Sequence, residues 1–235
     1  MTRRSRSRLE VIRRLSLLSL RRGADVSTLS CSFIRTQQLT EFWVTDCKTL
    51  APIWEKVASD FASETGVLIA KVDCEADNAK AIAQAAGVKS YPTIHYYPKG
   101  SKEPVPYSGG RTEDDLVNFM NEKAGTYRVA GGSLNAVAGT IPKLDSLLDS
   151  LKTGGERAYK AFVTTANLAE HKYGSYYIKV AKKIEENSGY VEKELARVKS
   201  LLAKGGLAPE KVDDLISRSN ILSKFRGGEA AKDEL

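Results

Sequence analysis

One stretch of the chain carries a residue that could do thiol chemistry. Cys47 lies in residues 43–52, directly ahead of a helical pattern. A dithiol site needs two sulfurs separated by two residues at the start of a helix; the first attacks as a thiolate and the second resolves the mixed disulfide. Val44 occupies the position of the first sulfur. The sequence therefore predicts a redox site that keeps its second sulfur and lacks its nucleophile.

The remaining cysteines do not restore the missing sulfur. Cys74 follows an apolar run and is predicted to be a small buried side chain. Cys31 lies in an irregular segment, and no local pattern places it near Cys47. Three cysteines without paired spacing, together with His95 and His171 without neighbouring ligands, predict no metal site, and no cofactor is expected. His95 is predicted to be a structural residue of a strand.

The elements that follow Cys47 indicate an α/β layer fold with a mixed sheet. An apolar stripe at three- and four-residue steps predicts a helix. Its members are Leu50, Ile53, Trp54, Val57 and Phe61. Residues 67–72 read as a buried central strand, and residues 93–97 as another strand. Residues 105–107 read as an edge strand, because proline lacks a ladder donor.

Capping residues place the remaining helices of this half. Asp77 and Asn78 are candidate caps of a short helix that ends at Gly87. Residues 112–115 have the composition of a capping box ahead of an apolar helix. The order of elements is strand, helix, strand, helix, strand, strand, helix.

These motifs resemble the thioredoxin fold, and specifically a domain of the protein disulfide isomerase family. The matching segments are residues 41–43, 47–52, 71–73, 90–94 and 109–112. They follow the family order over residues 37–125. The resemblance implies thiol–disulfide exchange on secretory proteins.

The resemblance also implies roles for individual residues at the substrate groove. Pro92 falls where the family has a cis-proline, a costly and position-specific device. There it exposes backbone for pairing with an extended substrate. Trp43, Tyr91 and Thr93 match its neighbours and are the other expected substrate-binding residues. An ordinary turn proline is the alternative for Pro92.

Three charged residues match family positions that assist the second cysteine. Glu41 and Lys71 match a buried pair that relays its proton. An exposed pair of little energetic value is the alternative. Arg111 matches a mobile arginine that approaches the thiol, and a solvated loop arginine is the alternative. With Cys47, these are the expected catalytic residues.

The segment that should lead into the site departs from the family pattern. Residues 36–42 are mostly polar and too short for a buried central strand. Both the nucleophile and the strand that should support it are therefore altered. As written, the chain is expected not to complete a dithiol cycle.

The two ends of the chain indicate different destinations. Lys232, Asp233, Glu234 and Leu235 form the retrieval signal of the endoplasmic reticulum, which a receptor reads. Residues 1–36 offer no continuous apolar core of a secretory signal, and no segment approaches a membrane span. Their nine arginines resemble a mitochondrial presequence or a non-native translated start. The expected location is the endoplasmic-reticulum lumen.

The basic charge is confined to this leader. The chain has 36 basic and 29 acidic residues, a net charge of +7. Residues 1–36 carry nine arginines against two acids and so hold the whole excess. A nucleic-acid binder would concentrate positive charge on its folded surface. The high isoelectric point therefore does not indicate a nucleic-acid partner.

The second half of the chain is predicted to be an all-α domain. Glycine-rich residues 126–138 read as a linker, and amphipathic stripes follow over residues 139–226. The order of residues 139–145 and 173–177 resembles the helical D domain fused to some disulfide isomerases. A scaffold that packs on itself is the alternative to a binding role. Residues 227–235 are expected to be a flexible tail, and residues 1–36 a disordered leader.

These features give two hypotheses for function. The first is a folding factor of the protein disulfide isomerase family, whose partners are unfolded or disulfide-bearing secretory proteins and the retrieval receptor. The second is a non-catalytic, chaperone-like module that binds clients.

The faults upstream of Cys47 generate a prediction about the native protein. One hypothesis is that the first ~45 residues come from an incorrect gene start; the other is a genuine, inactivated paralogue. Under the first, peptide mass spectrometry of the native protein finds no peptide that joins Trp43, Val44 and Lys48. Such a peptide carrying Val44 would establish the paralogue instead.

Overall fold

The structure, a computed structural model, describes residues 27–33, 41–74 and 79–227. For residues 27–33, 41–46 and 82 only the backbone is described. The chain divides into two compact units between Gly132 and Ser133, inside the predicted linker. Among the described helices, none is both long and apolar enough to cross a membrane.

The first unit is built on a mixed sheet, as predicted. Its described strands are β1 (Ser27–Phe33), β2 (Val67–Asp73), β3 (Thr93–Tyr97) and β4 (Val105–Pro106). Their order is β2-β1-β3-β4, with β1 parallel to β2 and antiparallel to β3, and β3 antiparallel to β4. The helices of this unit are α1 (Glu41–Asp60), α2 (Lys80–Ala85) and α3 (Glu113–Ala124).

The strand that precedes α1 lies elsewhere than predicted. Glu41 and Phe42 already belong to α1, whereas the prediction places them at the end of a strand over residues 36–42. The strand is β1, inside the stretch predicted to be a disordered leader. Its sequence alternates Leu29, Cys31 and Phe33 with serine, which is the period-two pattern of a half-buried strand.

Strand β2 also corrects the prediction of a buried central strand. Within the described residues β2 pairs only with β1 and lies at the edge of the sheet. Its first four residues are half-buried and Lys71 is exposed. A continuous apolar run such as residues 67–70 specifies a strand but not its place in the sheet, which depends on the neighbouring strands.

One face of α1 forms the core of the first unit. The predicted apolar stripe of α1 is confirmed, because its residues pack in one core with residues of β3 and α3. Its buried members are Leu50, Trp54, Val57, Phe61, Ile94, Tyr96, Leu116, Val117 and Met120. Burying one such side chain contributes about 1.5–3 kcal/mol relative to leaving it in water. Helix α1 is therefore held from both sides, by the sheet and by α3.

Both ends of α3 are capped, the first by the predicted capping box. The Thr112 hydroxyl accepts a hydrogen bond from the Asp115 N–H at 3.2 Å, and the Asp115 carboxylate accepts one from the Thr112 N–H at 3.1 Å. These bonds satisfy N–H groups that otherwise lack partners. The Thr112 hydroxyl, which also donates to Asp115 Oδ2 at 2.6 Å, and the Thr112 N–H lower the pKa of Asp115. Gly125 ends the helix in the left-handed region, at φ +66°.

The second unit consists of helices, as predicted. They are α4 (Pro142–Asp145), α5 (Leu148–Thr153), α6 (Gly155–Leu168), α7 (Gly174–Glu186), α8 (Tyr190–Lys204) and α9 (Pro209–Arg226). The stripe from Ile141 to Leu151 predicts one helix, but the structure has α4 and α5 there. The Ser146 hydroxyl donates to the Lys143 carbonyl at 3.0 Å, and such side-chain bonds compete with helix continuation.

Tyr177 lies fully buried at the centre of the helical unit. Its ring contacts Phe162 and Phe225, with ring centroids 6.3 and 5.7 Å away. Its hydroxyl donates to Asp145 Oδ1 at 2.6 Å and accepts from the Ile141 N–H at 3.1 Å. Burial raises the pKa of Tyr177 and, less strongly, that of Asp145. One side chain thus joins the aromatic core to both ends of α4.

We expect Tyr177→Phe to lower the free energy of unfolding by about 1–3 kcal/mol, because two buried polar groups lose their partner. Urea unfolding of the full chain, followed by circular dichroism, measures the loss. Tyr159→Phe is the matched control, since Tyr159 packs against the same core while half-buried. An unfolding free energy for Tyr177→Phe within about 0.5 kcal/mol of wild type would contradict the expectation.

Candidate functional site

The thiol position lies near the start of helix α1. Residue 44 falls in the first turn, and Cys47 follows one turn later on the same side of the helix. Cys47 is buried, with only 5 % of its surface exposed. Lys48, the next residue, is exposed. The sulfur that the chain retains is therefore enclosed, whereas attack on a client disulfide requires an accessible thiolate.

The burial of Cys47 follows from the packing of α1. Leu50 and Trp54, the next residues on that side, are 2 % and 4 % exposed and belong to the core. Pro52 lies inside the same helix but is exposed, so the missing N–H falls on the outer side. Cys47 thus continues the buried face of the helix.

Three of the residues expected to form the substrate groove lie at the start of β3. The Tyr91–Pro92 peptide bond is cis, as the family resemblance implies. Pro92 is buried, while Tyr91 and Thr93 are half-buried. The Thr93 hydroxyl donates to the Ser90 carbonyl across the bend. Trp43, the fourth expected residue of the groove, lies in α1, and its side chain is outside the described part.

The expected buried proton relay is not formed at Lys71. Its side chain is 60 % exposed and pairs with Glu55 on α1, which is 61 % exposed. Lys71 therefore matches the exposed alternative, and a pair of this kind contributes ~0–1 kcal/mol. The side chain of Glu41 is outside the described residues.

Arg111 lies exposed in the loop between β4 and α3, one residue before the cap Thr112. Its location agrees with the alternative of a surface loop arginine. The retrieval residues Lys232, Asp233, Glu234 and Leu235 lie outside the described residues, as do the candidate caps Asp77 and Asn78.

The other thiol and the strand histidine are buried. Cys74 follows β2 with 4 % of its surface exposed, as predicted for a small buried side chain. Cys47 and Cys74 are not joined by a disulfide. His95 is 7 % exposed on β3, and burial lowers its pKa, so the ring is neutral near pH 7. The side chain of Cys31 is not described; its backbone lies opposite Lys71 and Ile94.

A polar cluster at the far end of α1 was not predicted. Arg128 is 4 % exposed, and its Nε donates to Glu64 Oε1 at 2.7 Å. Asp60 is 5 % exposed and contacts Glu113 of α3. The sequence signal for this cluster is weak, because Arg128 falls in a stretch whose glycines indicate a linker.

Comparison with known families agrees with this two-part architecture. The family model for thioredoxin matches residues 36–122, and the model for the C-terminal domain of endoplasmic reticulum protein ERp29 matches residues 139–225. The chain is thus a thioredoxin-type unit followed by a helical unit of the ERp29 type.

Individual relatives share the same combination. The chain is 54 % identical over 194 residues to protein disulfide-isomerase tigA of Aspergillus niger, covering 82 % of this chain and 54 % of that protein. It is 48 % identical over 202 residues to protein disulfide-isomerase erp38 of Neurospora crassa, with the same coverage. It is 40 % identical over 198 residues to the probable protein disulfide-isomerase A6 of Medicago sativa, covering 80 % and 54 %.

In both units the chain is similar to protein disulfide isomerases, in agreement with the resemblance seen in its motifs. It spans about half the length of the curated relatives it matches.

Burial of the two described thiols predicts slow modification. We expect iodoacetamide to label Cys47 and Cys74 at least roughly tenfold more slowly in native buffer than in urea, because reaction requires opening of the fold. Peptide mass spectrometry of the labelled full chain gives both rates. The matched control is Cys47→Ser with Lys48→Cys, which moves the thiol to the exposed neighbouring position. Equal native rates at positions 47 and 48 would show that Cys47 is accessible.

Proposed function

We propose that this chain is a folding factor for disulfide-bearing secretory proteins in the lumen of the endoplasmic reticulum. The observation that carries the proposal is the pairing of a thioredoxin-type unit, including a cis Pro92, with an ERp29-type helical unit. Relatives that share both units are named protein disulfide-isomerases. The C-terminal residues Lys232, Asp233, Glu234 and Leu235 support the location, because a retrieval receptor reads that sequence at a free C-terminus.

We further propose that the chain handles clients without a dithiol cycle. In that cycle a thiolate attacks one sulfur of the client disulfide, the client S–S bond breaks, and its other sulfur leaves as a thiolate. A second thiolate then attacks the mixed disulfide and releases the client. Val44 provides no sulfur for the first step. Cys47 is buried and would have no resolving partner three positions earlier.

The same two observations favour a client-binding role that needs no redox step. The groove residues Tyr91, Pro92 and Thr93 are present, and the core that supports them is complete through β3 and α3. Backbone groups next to a cis-proline pair with an extended chain independently of any thiol. Binding without exchange is thus the mode that this combination of residues supports.

The central test restores the missing sulfur. We expect the wild-type chain to give no turnover in insulin reduction or in refolding of scrambled ribonuclease, and Val44→Cys to raise turnover at least about tenfold, because it re-creates the pair of sulfurs. Val44→Ser is the matched control, since serine has nearly the same shape as cysteine but carries no thiol.

Two further measurements separate the possible explanations. Val44→Cys combined with Cys47→Ser should trap a mixed disulfide with the client and not turn over, because nothing resolves it. The wild-type chain should still delay aggregation of reduced insulin without reducing it. Wild-type turnover would contradict the binding-only role, and an inactive but folded Val44→Cys variant would show that residue 44 is not the sole defect.

A further inference from the structure

The segment after helix α3 is attached to the first unit by buried polar contacts. Asn121 Nδ2 donates to the Arg128 carbonyl at 2.6 Å, and Asn121 Oδ1 accepts from the Arg128 N–H at 2.8 Å. The Arg128 guanidinium binds Glu64 and also donates from Nη1 to the Gly132 carbonyl at 2.8 Å. Residues 128–132 are therefore a fixed part of the unit, although their composition resembles that of a linker.

Two carboxyl groups meet beneath this segment. Asp60 at the end of α1 is close enough to Glu113 in the first turn of α3 for that residue to raise the pKa of Asp60. The Gly131 N–H donates to Glu113 Oε1 at 3.1 Å and also faces the Asp60 carboxyl. Asp60 Oδ2 is buried and makes no hydrogen bond within the described structure. Since two ionised carboxylates repel, this contact is favourable when the pair shares one proton.

The backbone approaches Asp60 too closely for a side chain to intervene. A Cβ at position 132 would lie 3.3 Å from the Asp60 Cα, and Gly132 has φ +78°. Gly131 has φ +87°, a conformation that costs glycine little. The two glycines thus allow the Gly131 N–H to reach the carboxyl pair.

We propose that the Asp60–Glu113 pair is a pH-responsive clasp, which holds residues 128–132 when it shares a proton and loosens them when both carboxyls ionise. The charges around it offset the second negative charge only in part. Lys56 reaches Glu113 Oε2 at 3.3 Å, but its side chain is 67 % exposed. Arg128 is already paired with Glu64.

The direction of the pH effect follows from Asp60. Burial, and next the charge of Glu113, raise its pKa above the ordinary aspartate range, while the Gly131 N–H and Lys56 oppose this. A raised pKa in the folded state means that the stabilisation is complete at acidic pH. It is lost as pH rises through the raised pKa.

Hydrogen exchange on the full chain tests the proposal. We expect protection of the Gly131 amide, corrected for the intrinsic exchange rate, to fall as the pH rises above about 4, by at most about tenfold per pH unit because one proton is involved. Asp60→Asn, which cannot ionise, should remove this pH dependence. Asp114→Asn is the matched control: it changes an exposed residue of the same helix turn and should leave the slope unchanged.

Two outcomes would overturn the clasp: wild-type protection that does not vary with pH, or an Asp60→Asn variant with the wild-type slope. If Asp60→Asn does not fold, Glu113→Gln removes the other negative charge and should weaken the pH dependence, because only the burial of Asp60 then remains to raise its pKa. A carbon-13 titration of the Asp60 carboxyl in the wild-type chain is independent of any variant. An ordinary aspartate titration there would also refute the proposal.

Discussion

The burial of one face of helix α1 is the constraint on which the first unit depends. Val57 has no exposed surface and Leu50 has almost none, because the sheet covers this face on one side and α3 on the other. The same packing places residue 47 in the buried row, while Lys48 remains in solvent. The position and the accessibility of the retained sulfur are thus consequences of core packing. The environment of the Cys47 sulfur therefore cannot change unless α1 itself moves.

That constraint separates two properties that a dithiol site normally combines. A groove beside a cis-proline needs only a stable bend and available backbone, and both come from the scaffold. Exchange needs, in addition, an exposed attacking sulfur within reach of a resolving one. The scaffold residues of this chain can be intact while the chemistry is missing, since Val44 changes no core residue described here. The proposed binding role therefore does not depend on the sulfur that this chain lacks at position 44.

The sequence correctly predicted those elements that are specified by neighbouring residues. The structure has the apolar stripe of α1, the capping box at Thr112 and the edge strand at Pro106. Each of these features is specified by residues that are close together in the sequence. The edge position of β2 and the exposed Lys71–Glu55 pair could not be predicted in this way. Both depend on which strand or helix packs alongside. That neighbour comes from a distant part of the sequence and leaves no local pattern. Strand β1 was missed although Leu29, Cys31 and Phe33 alternate as a strand requires, because the surrounding arginines indicated a leader.

The predicted linker shows the same limit of local patterns, because its composition did not reveal a buried contact. Glycine, threonine and polar residues after Gly125 suggest a solvated connection, yet Arg128 is as buried as the apolar core. Burying a guanidinium costs several kcal/mol unless a carboxylate and hydrogen-bond acceptors replace its water, and Glu64 and the Gly132 carbonyl do so. Asp60 lacks an equally complete set of partners, since one of its oxygens has none. Within a single cluster, then, the Arg128 guanidinium has a carboxylate and a carbonyl as partners, whereas the neighbouring carboxyl pair is only partly offset by Lys56 and the Gly131 N–H. This difference makes the pair the part of the attachment that we propose responds to pH.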